Sequence, residues 1–61
     1  MSNYTVAVFG DSEYCVKRIS DGKFYFESEF ESMCVANCHK FIMPYLVALS
    51  VLDKLREIEN D

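Results

Sequence analysis

The chain has little that breaks or locks a backbone: one proline, two glycines, no tryptophan and one histidine among 61 residues. So little glycine and proline excludes collagen-like, linker-like and low-complexity sequence. Hydrophobic residues make up 51% of the chain and aromatic residues 15%, a globular composition, so fraying is expected only at the ends, over residues 1–3 and 59–61. Basic residues are also few. Six Lys and Arg against ten Asp and Glu leave a formal charge of −4, which disfavours general attraction to a phosphate backbone. The acidity serves solubility first and docking onto a basic protein surface second.

No apolar run is long enough to span a bilayer, which takes about 20 residues. The longest covers 41–52 and is bounded by Lys40 and Asp53. The opening Met1-Ser2-Asn3-Tyr4 has neither the basic nor the apolar region of a signal peptide. The expectation is a soluble, cytoplasmic, single domain over residues 1–61.

Three cysteines, Cys15, Cys34 and Cys38, are an odd set that makes no secreted disulfide framework. Cys34, Cys38 and His39, with Cys15 as a fourth ligand, invite a zinc reading. Zinc sites draw paired ligands from two segments, however, and only one pair is present. On a helix His39 also points about 100° away from Cys38. The cysteines therefore read as small core residues, and no metal or cofactor is expected. Val6-Ala7-Val8-Phe9-Gly10-Asp11 imitates the start of a nucleotide-binding unit, but the further glycines and the following helix are missing. No paired acid and base, and no nucleophile with its base, is visible, so an enzyme is not expected.

What is present is a strand-rich half followed by a helical half. Residues 4–9 are β-branched and aromatic and end at Gly10-Asp11-Ser12, a turn cluster. A second strand is expected over 13–19 and, after Ser20-Asp21-Gly22, a third over 23–27. Short turns between short strands make an antiparallel meander. A three-residue loop with Gly22 left-handed sets Val16 opposite Phe26 and Lys17 opposite Tyr25. That register gathers Tyr14, Val16, Phe24 and Phe26 on one face, and the pattern favours it over a two-residue loop.

Ser28-Glu29-Phe30-Glu31 matches a capping box. From Phe30 the apolar positions 30, 34, 38, 41, 45, 48, 52 and 55 recur at helical spacing. The spacing predicts one long helix, kinked at Pro44, and the fold class is α+β: a three-stranded antiparallel meander followed by a long C-terminal helix. About 30 helical residues would span roughly 45 Å, against about 20 Å for a strand of six or seven residues. The uncovered apolar length points to a second copy. The interface expected is Phe41, Ile42, Tyr45, Leu46, Leu49, Leu52 and Leu55. Glu27, Glu29 and Glu31 make a candidate acidic patch for a protein partner.

These features imply a small acidic interaction protein that dimerises through its C-terminal helix and binds or inhibits an unidentified protein. Its size and composition suit a phage or mobile-element accessory protein. The alternative is a nucleic-acid-associated regulator using the basic hairpin of Lys17, Arg18 and Lys23, three cations in an acidic chain.

Overall fold

The computed structural model describes residues 2–60. The chain is α+β: an antiparallel four-stranded sheet in the order β1-β2-β3-β4, then one C-terminal helix. The strands are β1 (Tyr4–Gly10), β2 (Glu13–Arg18), β3 (Phe24–Phe26) and β4 (Glu29–Glu31). A 3-10 turn spans Cys38–Phe41, and α1 runs Tyr45–Asn60. The fold class and the three expected strands are borne out, with a fourth strand added where the helix was expected to begin.

β1 and β2 pair from Tyr4 opposite Arg18 to Val8 opposite Tyr14, and a one-residue shift at Phe9 then sets Gly10 opposite Glu13. The β2–β3 register departs from expectation. Lys17 lies opposite Phe24, and the Arg18 N–H donates to the Lys23 carbonyl at 2.7 Å. The loop is therefore Ile19-Ser20-Asp21-Gly22. Gly22 is left-handed as expected, at φ 71°. Asp21 organises the loop: its Oδ1 accepts from the Lys23 N–H at 3.1 Å and from Arg18 Nε at 3.0 Å.

The expected register follows only if one face is buried, and this sheet is covered on both. Tyr4, Val6, Tyr14, Val16 and Tyr25 pack beneath α1 against Ala48 and Leu52. Phe24 and Phe26 alternate onto the other face and meet Phe41 of the 3-10 turn, with ring centroids 6.0 and 6.2 Å away. Phe41 and Val16 are both fully buried, one on each side.

The long kinked helix is a correction. Ser28 is no N-cap: it and Glu27 are both left-handed, at φ 70° and 47°, and Phe26 faces Glu29 across them. That is a two-residue hairpin of the type favoured by strand twist. Phe30 then lies between the rings of Tyr4 (5.6 Å) and Tyr25 (5.5 Å). Residues 32–43 wrap back across the sheet, and Met43 exchanges two backbone hydrogen bonds with Tyr14, at 2.7 and 3.0 Å. This anchor sets the start of α1. Pro44 needs no donor there, and its carbonyl accepts the Ala48 N–H at 3.0 Å. At about 1.5 Å per residue, the 16 residues of α1 span about 24 Å, close to the length of β1. The overhang inferred from a 45 Å helix does not exist.

The expectation of frayed ends falls in part on residues 1 and 61, which lie outside the described residues. Nearer in, the Asn3 N–H donates to Glu59 Oε2 at 2.9 Å, and Asn3 also holds the Ser20 backbone N–H at 3.1 Å.

Candidate interaction surface

The first turns of α1 carry more apolar surface than the sheet covers. A helix turns about 100° per residue, so Ala48, Val51, Leu52 and Leu55 share the face that packs on the sheet. Leu46 points the opposite way and is 77% exposed. Tyr45 and Val47 flank it, each about half exposed. Tyr45 is held by Tyr14, ring centroids 4.9 Å apart, and Tyr14 lies opposite Val8, itself 75% exposed. The Met43–Tyr14 anchor thus places the exposed start of α1 beside the exposed end of β1.

The seven expected interface residues are divided by the fold. Tyr45 and Leu46 are exposed, while Ile42, Leu49 and Leu55 are half-buried. Phe41 and Leu52 are buried within the chain's own core. Val47, an apolar residue off the helical stripe in the sequence, is exposed on α1, and Val8 is exposed at the end of β1 although nothing in the sequence pattern singles it out. The available signal belongs to the whole strand, which lacks a single charge.

The charged candidates are dispersed. Glu27 and Glu29 are exposed at the β3–β4 hairpin, but Glu31 is paired with Lys40 at 2.6 Å. Lys40 Nζ also sits over the rings of Phe26 and Phe41, at 5.0 and 5.5 Å. Of the basic hairpin, Arg18 is occupied. It pairs with Asp21 and stacks over Phe30 with its guanidinium 4.3 Å from the ring centroid. Its hydrogen bond holds the Asp21 carboxyl down at about 2. That leaves Lys17, on the Phe24 row, and Lys23 at the loop.

The cysteines are separated by burial. Cys15 is buried, with Sγ 3.7 Å from the Ala7 carbonyl, and desolvation pushes its thiol up despite the opposing charge of Lys17. Cys34 is exposed and Cys38 half-buried, both outside any α-helix, so the shared helical face expected for them is not formed. His39 lies edge-on to Phe9, centroids 6.3 Å apart. Among the described residues no three His, Cys, Asp or Glu side chains come together as a metal set. Nor is any helix among them long and apolar enough to cross a membrane. The depression beside Leu46, lined by Val47, Ser50, Val51 and Lys54, belongs to α1 alone and encloses nothing.

Comparison with protein-family models, with curated proteins and with solved structures finds no match to this chain. The class the fold defines is a small α+β domain built on an antiparallel meander. Any functional reading rests on the surface just described.

Proposed function

We propose that this chain is a non-enzymatic interaction protein that forms a dimer through the first turns of α1. As such it acts in the cytoplasm by binding, and so modulating or inhibiting, another protein, as phage and mobile-element accessory proteins do. The observation that carries this reading is the exposure of Tyr45 and Leu46 at the start of α1 beside Val8 at the end of β1, joined through Tyr14, which meets the Tyr45 ring and lies opposite Val8. Scattered exposed apolar residues are ordinary, but several gathered at one end of a small acidic domain mark a contact surface. The thin core adds support. Cys15, Val16, Phe41, Ala48 and Leu52 are its buried residues, and chains this short commonly lean on assembly for stability. The non-enzymatic side is supported by Cys15, whose thiol is buried and raised, and by the placement of His39 against Phe9.

The test is thermal unfolding at two protein concentrations about a hundredfold apart. A dimer that folds with its association gains about 2.7 kcal/mol over that range, a rise of several degrees in Tm. Leu49→Glu should remove the concentration dependence and lower Tm together. A Tm independent of concentration in the parent protein would refute the self-association reading.

A further inference from the structure

β1 is a sheet edge with little protection against pairing, since its one irregularity, the shift at Phe9, falls at its end beyond Val8. Its seven residues carry no charge and no proline, whereas natural edges are ordinarily blunted by lysine, proline or short length. The opposite edge, β4, is three residues long and holds Glu29 and Glu31. The direction of the free groups on β1 follows from the ladder. Asn3 accepts from the Ile19 N–H, and Thr5 and Ala7 follow in register opposite Lys17 and Cys15. On its other side β2 uses Tyr14 for Met43 and Arg18 for Lys23. Bonding alternates along a strand, so Thr5 and Ala7 turn their backbone groups to β2, and Tyr4, Val6 and Val8 turn theirs outward.

Tyr4 is already satisfied. Its N–H donates to the Ser2 hydroxyl at 3.2 Å, and that hydroxyl lies 3.3 Å from the Tyr4 carbonyl. Val6 and Val8 have no partner for these groups among the described residues.

We propose that β1 pairs antiparallel with β1 of a second copy, about a two-fold axis at Ala7, joining two four-stranded sheets into one. This rests on the proposed self-association and names the backbone contact that would hold it. Val6 of each copy then faces Val8 of the other, and each pair exchanges both its hydrogen bonds. Three observations favour a second copy as the occupant. The outward groups of Val6 and Val8 are self-complementary under that axis. Two chains of charge −4 meet along a strand that bears no charge, away from their carboxylates on β4.

The third is spacing. α1 lies against β1 and β2 alike. With strands about 4.8 Å apart, a helix above the β1–β2 boundary stands about 4.8 Å from an axis midway between the paired edges. The two α1 helices then run about 10 Å apart on the same face, which is the packing distance of helices. The right-handed screw of α1 turns Tyr45 and Leu49 to the β1 side, so these side chains and Val8 fill the seam.

Amide hydrogen exchange, read by NMR above and below the association concentration, tests this. Val6 and Val8 should slow at least about tenfold on association, while Thr5 and Ala7, bonded to β2, are slow in both states. Val8→Pro removes an N–H that makes no bond within the chain, so the monomer should keep its circular dichroism while association weakens at least about tenfold. A dimer with fast exchange at Val6 and Val8 would overturn the edge pairing and leave the α1 reading standing. So would a Val8→Pro protein that associates like its parent. No association at any concentration would overturn both.

Discussion

Phe41 is the residue for which the fold changes the expectation most. A long helix would place it at an intermolecular seam, yet it is fully buried against Phe24 and Phe26 on the face of the sheet away from α1. Truncating such a ring costs about 3–5 kcal/mol. Domains hold about 0.05–0.15 kcal/mol per residue, so 61 residues amount to about 3–9 kcal/mol in total. Phe41→Ala should therefore leave much of the chain unfolded at room temperature. Phe41→Leu keeps most of the volume and should cost about 1–2 kcal/mol, lowering Tm by roughly 5–15 °C at this chain length. Urea titrations followed by circular dichroism measure both losses. Because the lost contacts lie within one chain, the difference from the parent protein should be the same at high and low protein concentration. A Phe41→Ala protein within about 0.5 kcal/mol of its parent, the range for surface substitutions, would refute a two-sided sheet. A loss that shrinks on dilution would return Phe41 to an interface.

Other expectations follow from single features. Glu27 and Ser28 are both left-handed without being glycine. Glu27→Asn with Ser28→Gly should therefore raise stability by about 1–2 kcal/mol in urea unfolding, and a loss would contradict the hairpin. Thiol labelling of the folded protein should modify Cys34 first and Cys15 last, with Cys15 reacting at the rate of unfolding. Rapid labelling of Cys15 would place it outside the core. Arg18 holds the Asp21 carboxyl at about 2, below the ordinary 3.8. Its contribution is present above the ordinary value and lost as pH falls from there through about 2, so Asp21→Asn should flatten the acid limb of stability in that window. An unchanged limb would show that the pair adds nothing in solution.

The strands of the first half were legible because β-branched and aromatic runs ended at Gly10-Asp11-Ser12 and at Gly22, where the chain does turn. The face assignment of β3 was not, because alternation tells which residues share a face but not whether the other face is also covered. Phe24 and Phe26 were grouped with Val16 on the assumption of one core, and the second cover comes from residues distant in sequence. The helix illustrates a different limit. From 45 onward the apolar spacing is structural, with Ala48, Leu52 and Leu55 on the core. Before Pro44 the same spacing at 30, 34, 38 and 41 is met by a strand, a loop and a 3-10 turn. Ser28 fits a capping box and a hairpin turn equally well in one dimension. The ring contacts of Phe30 with Tyr4 and Tyr25 favour the strand, and they are tertiary. Of the interaction surface, Leu46 was legible as an apolar residue off the helical stripe and Tyr45 as one on it, at the edge of the face that packs on the sheet. Val8 was not, since its exposure depends on where β1 falls in the sheet order.

The central claim is that the exposed start of α1 and the edge beside it are covered by a second copy. Sedimentation equilibrium of the unmodified protein, over a concentration range reaching about a hundred micromolar, measures that directly. The account predicts a species of twice the 7.1 kDa chain mass at the upper end, giving way to monomer on dilution. A single species of 7.1 kDa throughout the range would contradict it.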